Sequence, residues 1–128
     1  MMIAVILESG RPERLYTGLS LLVCAAAEGR PARGLVSFGA LGPLLDGDLG
    51  ARAVGTTELP PERRGTFARS LVELRETARE LEDCRLWACA AAVELSGASA
   101  ADVEAWLDGV MSTPRFLREV AGADLVVV

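Results

Sequence analysis

A three-layer α/β domain spanning 1–128, built on a mostly parallel sheet of about five strands, is the fold class that the sequence predicts. Three observations predict it. Short runs such as "MIAVIL", "CRLWAC" and "ADLVVV" are apolar or nearly so throughout, the composition of strands buried on both faces. Amphipathic runs with the helical period lie between them, and strands alternating with helices make parallel βαβ units. The chain has 128 residues, enough to bury one core without staples.

In chain order, Met2 to Leu7 is the first strand, bounded by Ser9 and Gly10. "RPERLYTGLSLLVCAAAEG" follows as a helix, with Pro12 in its first turn and Gly29 as its stop. Leu15, Leu19, Leu22, Val23 and Ala26 share one face of it, and Cys24 lies with the polar face. Ala32 to Phe38 reads as the second strand. The Gly- and Pro-punctuated stretch "GALGPLLDGDLGARAVGTTELPP" then reads as irregular, with at most one helical turn around Leu41 to Leu45. Pro60 and Pro61 open the longest helix, Glu62 to about Glu82. Phe67, Leu71, Leu74, Ala78 and Leu81 form its apolar stripe, and its charges, including Arg69/Glu73 and Glu76/Arg79, form a solvated face. Cys84 to Cys89 is the next strand, and "AAAVELSG" a short helix ended by Gly97. Ser99 and Asp102 have capping-box spacing. Thr113 and Pro114 read as cap and first residue of a last helix, before the closing strand "ADLVVV".

Composition excludes several functions. The formal net charge is -5 and no run of basic residues occurs, so a nucleic-acid partner, which is held through clustered Lys and Arg, is not expected. "MMIAVILESG" lacks a charged leader and is too short for a signal peptide. Nothing approaches the roughly 20 apolar residues of a membrane span. A cytoplasmic protein is the expectation. Three cysteines and no histidine make a poor zinc set, and no metal or cofactor is expected. Within one strand, Cys84 and Cys89 would stand roughly 16 Å apart, too far to bridge.

The stretch "CRLWACAAAVELSG" carries the chemistry. It puts Cys89 where an apolar strand turns directly into an alanine-rich helix, and in parallel α/β sheets ligands gather at those carboxyl ends. A thiol at a helix start meets free N–H groups that favour its anion, so it can ionise without an imidazole. A chain without histidine lacks the proton shuttle of Cys–His or Ser–His hydrolysis. Thiolate attack on sulfur needs none.

The residues also resemble a family. "ESGRPERLYTGLSLLVCAAAEGRPARGLVSFGALGPLL" is similar to the first strand, long helix, Gly turn, second strand and Gly-rich loop of the DsrE/DsrF-like sulfur-relay proteins, also called peroxiredoxin-like. "LWACAAAVELSG" resembles their strand–Cys–helix–Gly motif, and "GVMSTPRFLREVAGADLVVV" their closing helix and strand. The resemblance runs over essentially the whole chain. In the turn "EGRPARG", Arg30 and Pro31 stand where many relatives carry a His before an apolar residue. The resemblance implies that Cys89 accepts and passes on persulfide sulfur between donor and acceptor proteins, within a homo-oligomer such as a trimer or hexamer.

Each candidate has a plainer reading beside it. Cys89 is either a reactive thiol or a small apolar residue packed at a strand end. Trp87, on the same side of the strand as Cys89, either packs in the core or walls the site. Ser9 and Gly10 either lend hydroxyl and N–H groups to an anion or form a plain turn. Phe38, Gly39 and Ala90 complete the candidate binding set on the same sheet edge. Gly39 and Gly42 in "FGALG" do not make a dinucleotide loop. Asp46 and Asp48 read as solvated carboxylates before they read as a cation site. Cys84 fills a strand edge, and Cys24 faces a neighbour or resolves a disulfide. Three functions follow: a persulfide-carrying sulfurtransferase subunit, a non-enzymatic oligomeric binding module, and a thiol redox protein.

Overall fold

The computed structural model describes all 128 residues. Five strands form one parallel sheet in the order β4-β3-β2-β1-β5, with β1 Ile3–Leu7, β2 Ala32–Val36, β3 Cys84–Cys89, β4 Val110–Met111 and β5 Asp124–Val127. Seven helices connect them: α1 Pro12–Ala27, α2 Phe38–Leu45, α3 Leu49–Thr56, α4 Pro61–Glu80, α5 Ala90–Ser96, α6 Ala100–Trp106 and α7 Thr113–Glu119. The predicted α/β class with a parallel sheet is the one observed.

Register decides which side chains share a face. Val5 pairs with Gly34 and Gly34 with Leu86; Leu22 of α1 and Leu86 both crowd the space above Gly34. That face is covered by α1 and α4, packed side by side. Trp87 points the other way and meets Phe116 of α7 edge-on, ring centroids 6.3 Å apart. The second face therefore belongs to α7, a helix of seven residues, and it is thinly covered. Leu125 and Val127 of β5 are 50% and 57% exposed.

The two sheet edges differ. Beside β4, the Asp108 carboxylate accepts the Leu86 N–H at 2.7 Å while Asp108 N–H donates to the Leu86 carbonyl, so the part of β3 that β4 does not reach is closed by a side chain. On the other edge, Asp124 and Val128 donate to Met2 and Ile6 of β1, which leaves the N–H groups of Leu125 and Val127 aimed outward.

Several elements depart from expectation. The second strand ends at Val36, and Phe38 opens a helix. The irregular stretch holds two helices, α2 and α3. Ala40, Leu41, Leu44, Leu49 and Ala53 are buried, and that burial outweighs Gly39, Gly42 and Pro43. The long helix is Pro61–Glu80, and its charges are not all solvated: Arg75 is 2% exposed. Neither Arg69/Glu73 nor Glu76/Arg79 is among the four ion pairs. β4, two residues long, is too short to leave a pattern. The last helix is capped by Ser112, whose Oγ accepts from Arg115 N–H, so Thr113 is its first residue. Ser99 caps α6 as expected, accepting from Asp102 N–H at 3.1 Å, and Gly29 and Gly97, at φ +82 and +73, end α1 and α5.

Candidate functional site

All five strands point their carboxyl ends to one edge, and every predicted site residue lies there. Cys89 is the last residue of β3 and the N-cap of α5, with extended backbone and no side-chain capping bond. The strand–helix seam read from sequence exists, with no intervening loop. Cys89 is level with Met111 of β4, on the same face of the sheet as Trp87 and Phe116 of α7. The residue is 5% exposed. Ala90 follows it, half-buried.

The β1–α1 and β2–α2 loops meet backbone to backbone. A Cβ on Gly10 would lie 2.4 Å from the Gly39 carbonyl oxygen, and a Cβ on Gly39 would lie 2.6 Å from the Glu8 carbonyl oxygen. Here two glycines are required by close approach rather than by dihedral angle. The contact brings Ser9 and Gly10 against Phe38 and Gly39, one strand across from Cys89. Phe38 is 54% exposed at the mouth of this edge.

Ser9 carries out turn work. Its Oγ accepts the Arg11 N–H at 3.2 Å, and its own N–H donates to the Val128 carbonyl. The backbone N–H is thus spent within the fold, while the hydroxyl, an acceptor in this turn, keeps its own O–H to donate. Trp87 is half-buried and packs on Phe116.

The other thiols sit elsewhere. All three cysteines are free. Cys84 is buried on the opposite face of β3, where burial, helped by the Asp108 carboxylate, pushes its thiol up to about 11. Cys24 is exposed on α1, at the opposite edge of the sheet, 3.9 Å from Ser20 Oγ. No second thiol stands beside Cys89.

Three cavities exist, and Cys89 lines none of them. One, of about 350 Å³, lies between α2, α3 and the α5–α6 turn, and includes Asp46, Arg52 and Asp102. Asp46 is no cation ligand in waiting: Oδ1 accepts Asp48 N–H at 2.8 Å and Oδ2 accepts Arg52 Nε at 3.0 Å. Those donors, Asp48 first, hold its carboxyl below the usual range.

The group that sequence reading missed is Arg75. Its Nη1 donates to the carbonyls of Leu44 and Asp46 at 3.2 and 2.6 Å, and its guanidinium lies 3.8 Å over the Trp106 ring. A cation thus closes the C-terminal end of α2. The signal was present, since Arg75 falls between Leu71 and Ala78 on the apolar stripe.

No family model matches the chain, and no curated protein does. Among solved structures, it is similar to the crystal structure of the ychN protein from E. coli, with a TM-score of 0.62 and 17% sequence identity, covering 99% of this chain and 98% of that one. The likeness is one of fold over the full length. No helix is long and apolar enough to cross a membrane.

Proposed function

We propose that the chain is a DsrE/DsrF-like persulfide carrier acting through Cys89. The observation that carries this reading is the placement of Cys89, at a carboxyl strand end that turns at once into a helix, in a chain without histidine. The fold shared with the ychN protein over nearly the whole chain and the sequence resemblance to sulfur-relay proteins support it.

In the proposed step the Cys89 thiolate attacks the outer sulfur of a donor persulfide. The donor's S–S bond breaks, the donor leaves as a thiolate, and Cys89 holds the sulfur as Cys–S–S⁻ until an acceptor thiolate takes it in the same way. No net oxidant or reductant is needed. The proposal includes a homo-oligomer, trimer or hexamer, and a cytoplasmic location.

Incubation with a sulfane donor should add about 32 Da to the native chain and nothing to Cys89→Ser. Mass gain at Cys24 instead, or none at all, would sink the reading. The burial of Cys89 at 5% exposure favours a second reading, a non-enzymatic oligomeric binding module. It gains if Cys89 stays unmodified in the folded protein while remaining reactive after unfolding.

A further inference from the structure

We propose that the cavity between α2, α3 and the α5–α6 turn binds a small zwitterion with an aliphatic side chain, of the class of a free α-amino acid. Its volume, about 350 Å³, falls in the range of small-ligand sites. Its floor is apolar, from Leu41, Leu45 and Ala98, and Gly42 and Gly97 leave two walls without side chains.

Three charged residues line it: Asp46 and Arg52, which are paired with each other, and Asp102 of α6. Arg52 of α3 spends only its Nε, on Asp46 Oδ2, and its two Nη groups have no partner in the protein. Asp46 is itself held by Asp48 N–H, so the guanidinium is oriented by a chain of two hydrogen bonds before any ligand arrives. Asp102 of α6 uses its backbone N–H on the Ser99 cap, while its carboxylate has no ion-pair partner. Asp46 occupies only the Nε side of the guanidinium, which leaves the two Nη groups as a donor fork and Asp102 as a carboxylate outside any ion pair. A ligand carboxylate fits the first and a ligand ammonium the second, with its side chain on Leu41 and Leu45.

The larger cavity, about 400 Å³ between α3 and α4, lacks this preorganisation. Its charges, Arg69 and Glu73, sit one turn apart on one helix and can close on each other. The proposed site does not involve Cys89, so persulfide loading and ligand binding are read out separately.

The test is a titration of the full chain with L-leucine, followed through backbone amide NMR signals. Saturable shifts at Gly42, Gly97 and Ala98 are expected. On the same native chain, 4-methylpentanoate, which lacks the ammonium, and 3-methylbutylamine, which lacks the carboxylate, should each bind at least about tenfold more weakly. Asp102→Asn, which keeps the backbone cap, should lose about tenfold for L-leucine and leave 4-methylpentanoate unchanged. Shifts that do not saturate, that centre on other residues, or that are equal for all three compounds overturn the proposal.

Discussion

Cys84 and Cys89 belong to one strand yet face opposite sides of the sheet, and their surroundings give them different tasks. Cys84 is buried beside Asp108, and its thiol is held at about 11 against an ordinary 9.0. A folded-state value above the unfolded one means that the native protein keeps its proton longer. Stability is therefore full below pH 9 and falls as pH rises toward 11, by about 2–3 kcal/mol in all. Urea unfolding at pH 8, 9, 10 and 11 should show this decline, and Cys84→Ala should remove it. Two glycines of α2 make a contrasting pair. Gly39→Ala drives a methyl into the Glu8 carbonyl and should cost about 2–3 kcal/mol. Gly42, three residues on, has nothing within 4 Å apart from its chain neighbours, and its place before Pro43 offsets the gain in helix propensity, so Gly42→Ala should change stability by less than about 0.5 kcal/mol. Equal effects of the two substitutions in thermal denaturation would refute the contact.

At the scale of elements, α2 explains both what sequence reading captured and what it lost. The seam at Cys89 was legible because an apolar run and an alanine run are local patterns. Phe38–Leu45 was not, because Gly39, Gly42 and Pro43 argue against a helix locally, while its support comes from far along the chain. Its N-terminal turn leans on Gly10 and its C-terminal carbonyls on Arg75. The sequence left Cys89 open between a reactive and a packed thiol for the same reason: its level neighbour, Met111, belongs to a two-residue strand that no pattern reveals. Arg75→Met should strip the Leu44 and Asp46 carbonyls of their donor and destabilise by about 2–3 kcal/mol. Arg79→Met, with its guanidinium 5.7 Å from the same ring and exposed, should change stability by less than about 0.5 kcal/mol. Chemical denaturation of both variants checks the difference.

For the whole molecule, fold class was the most legible quantity, because strand–helix alternation and apolar strands constrain topology before any contact is known. The distribution of cover over the sheet was less so, since it depends on α7 being short. Leu125 and Val127 stand on the thinly covered face, where a subunit contact of the proposed oligomer would bury them. Leu125→Lys should then lower the mass seen by light scattering while leaving the far-ultraviolet circular dichroism of the protomer intact; an unchanged mass would place the contact elsewhere.

The unequal sheet edges carry a consequence for growth. Asp108 fastens a side chain across one margin, while β5 offers bare backbone at the other. Two copies joined at the β5 margin would turn their short β4 strands outward. At the other margin the Asp108 carboxylate takes the Leu86 N–H and β4 is two residues long, so little backbone is offered there and pairing is favoured on the β5 side.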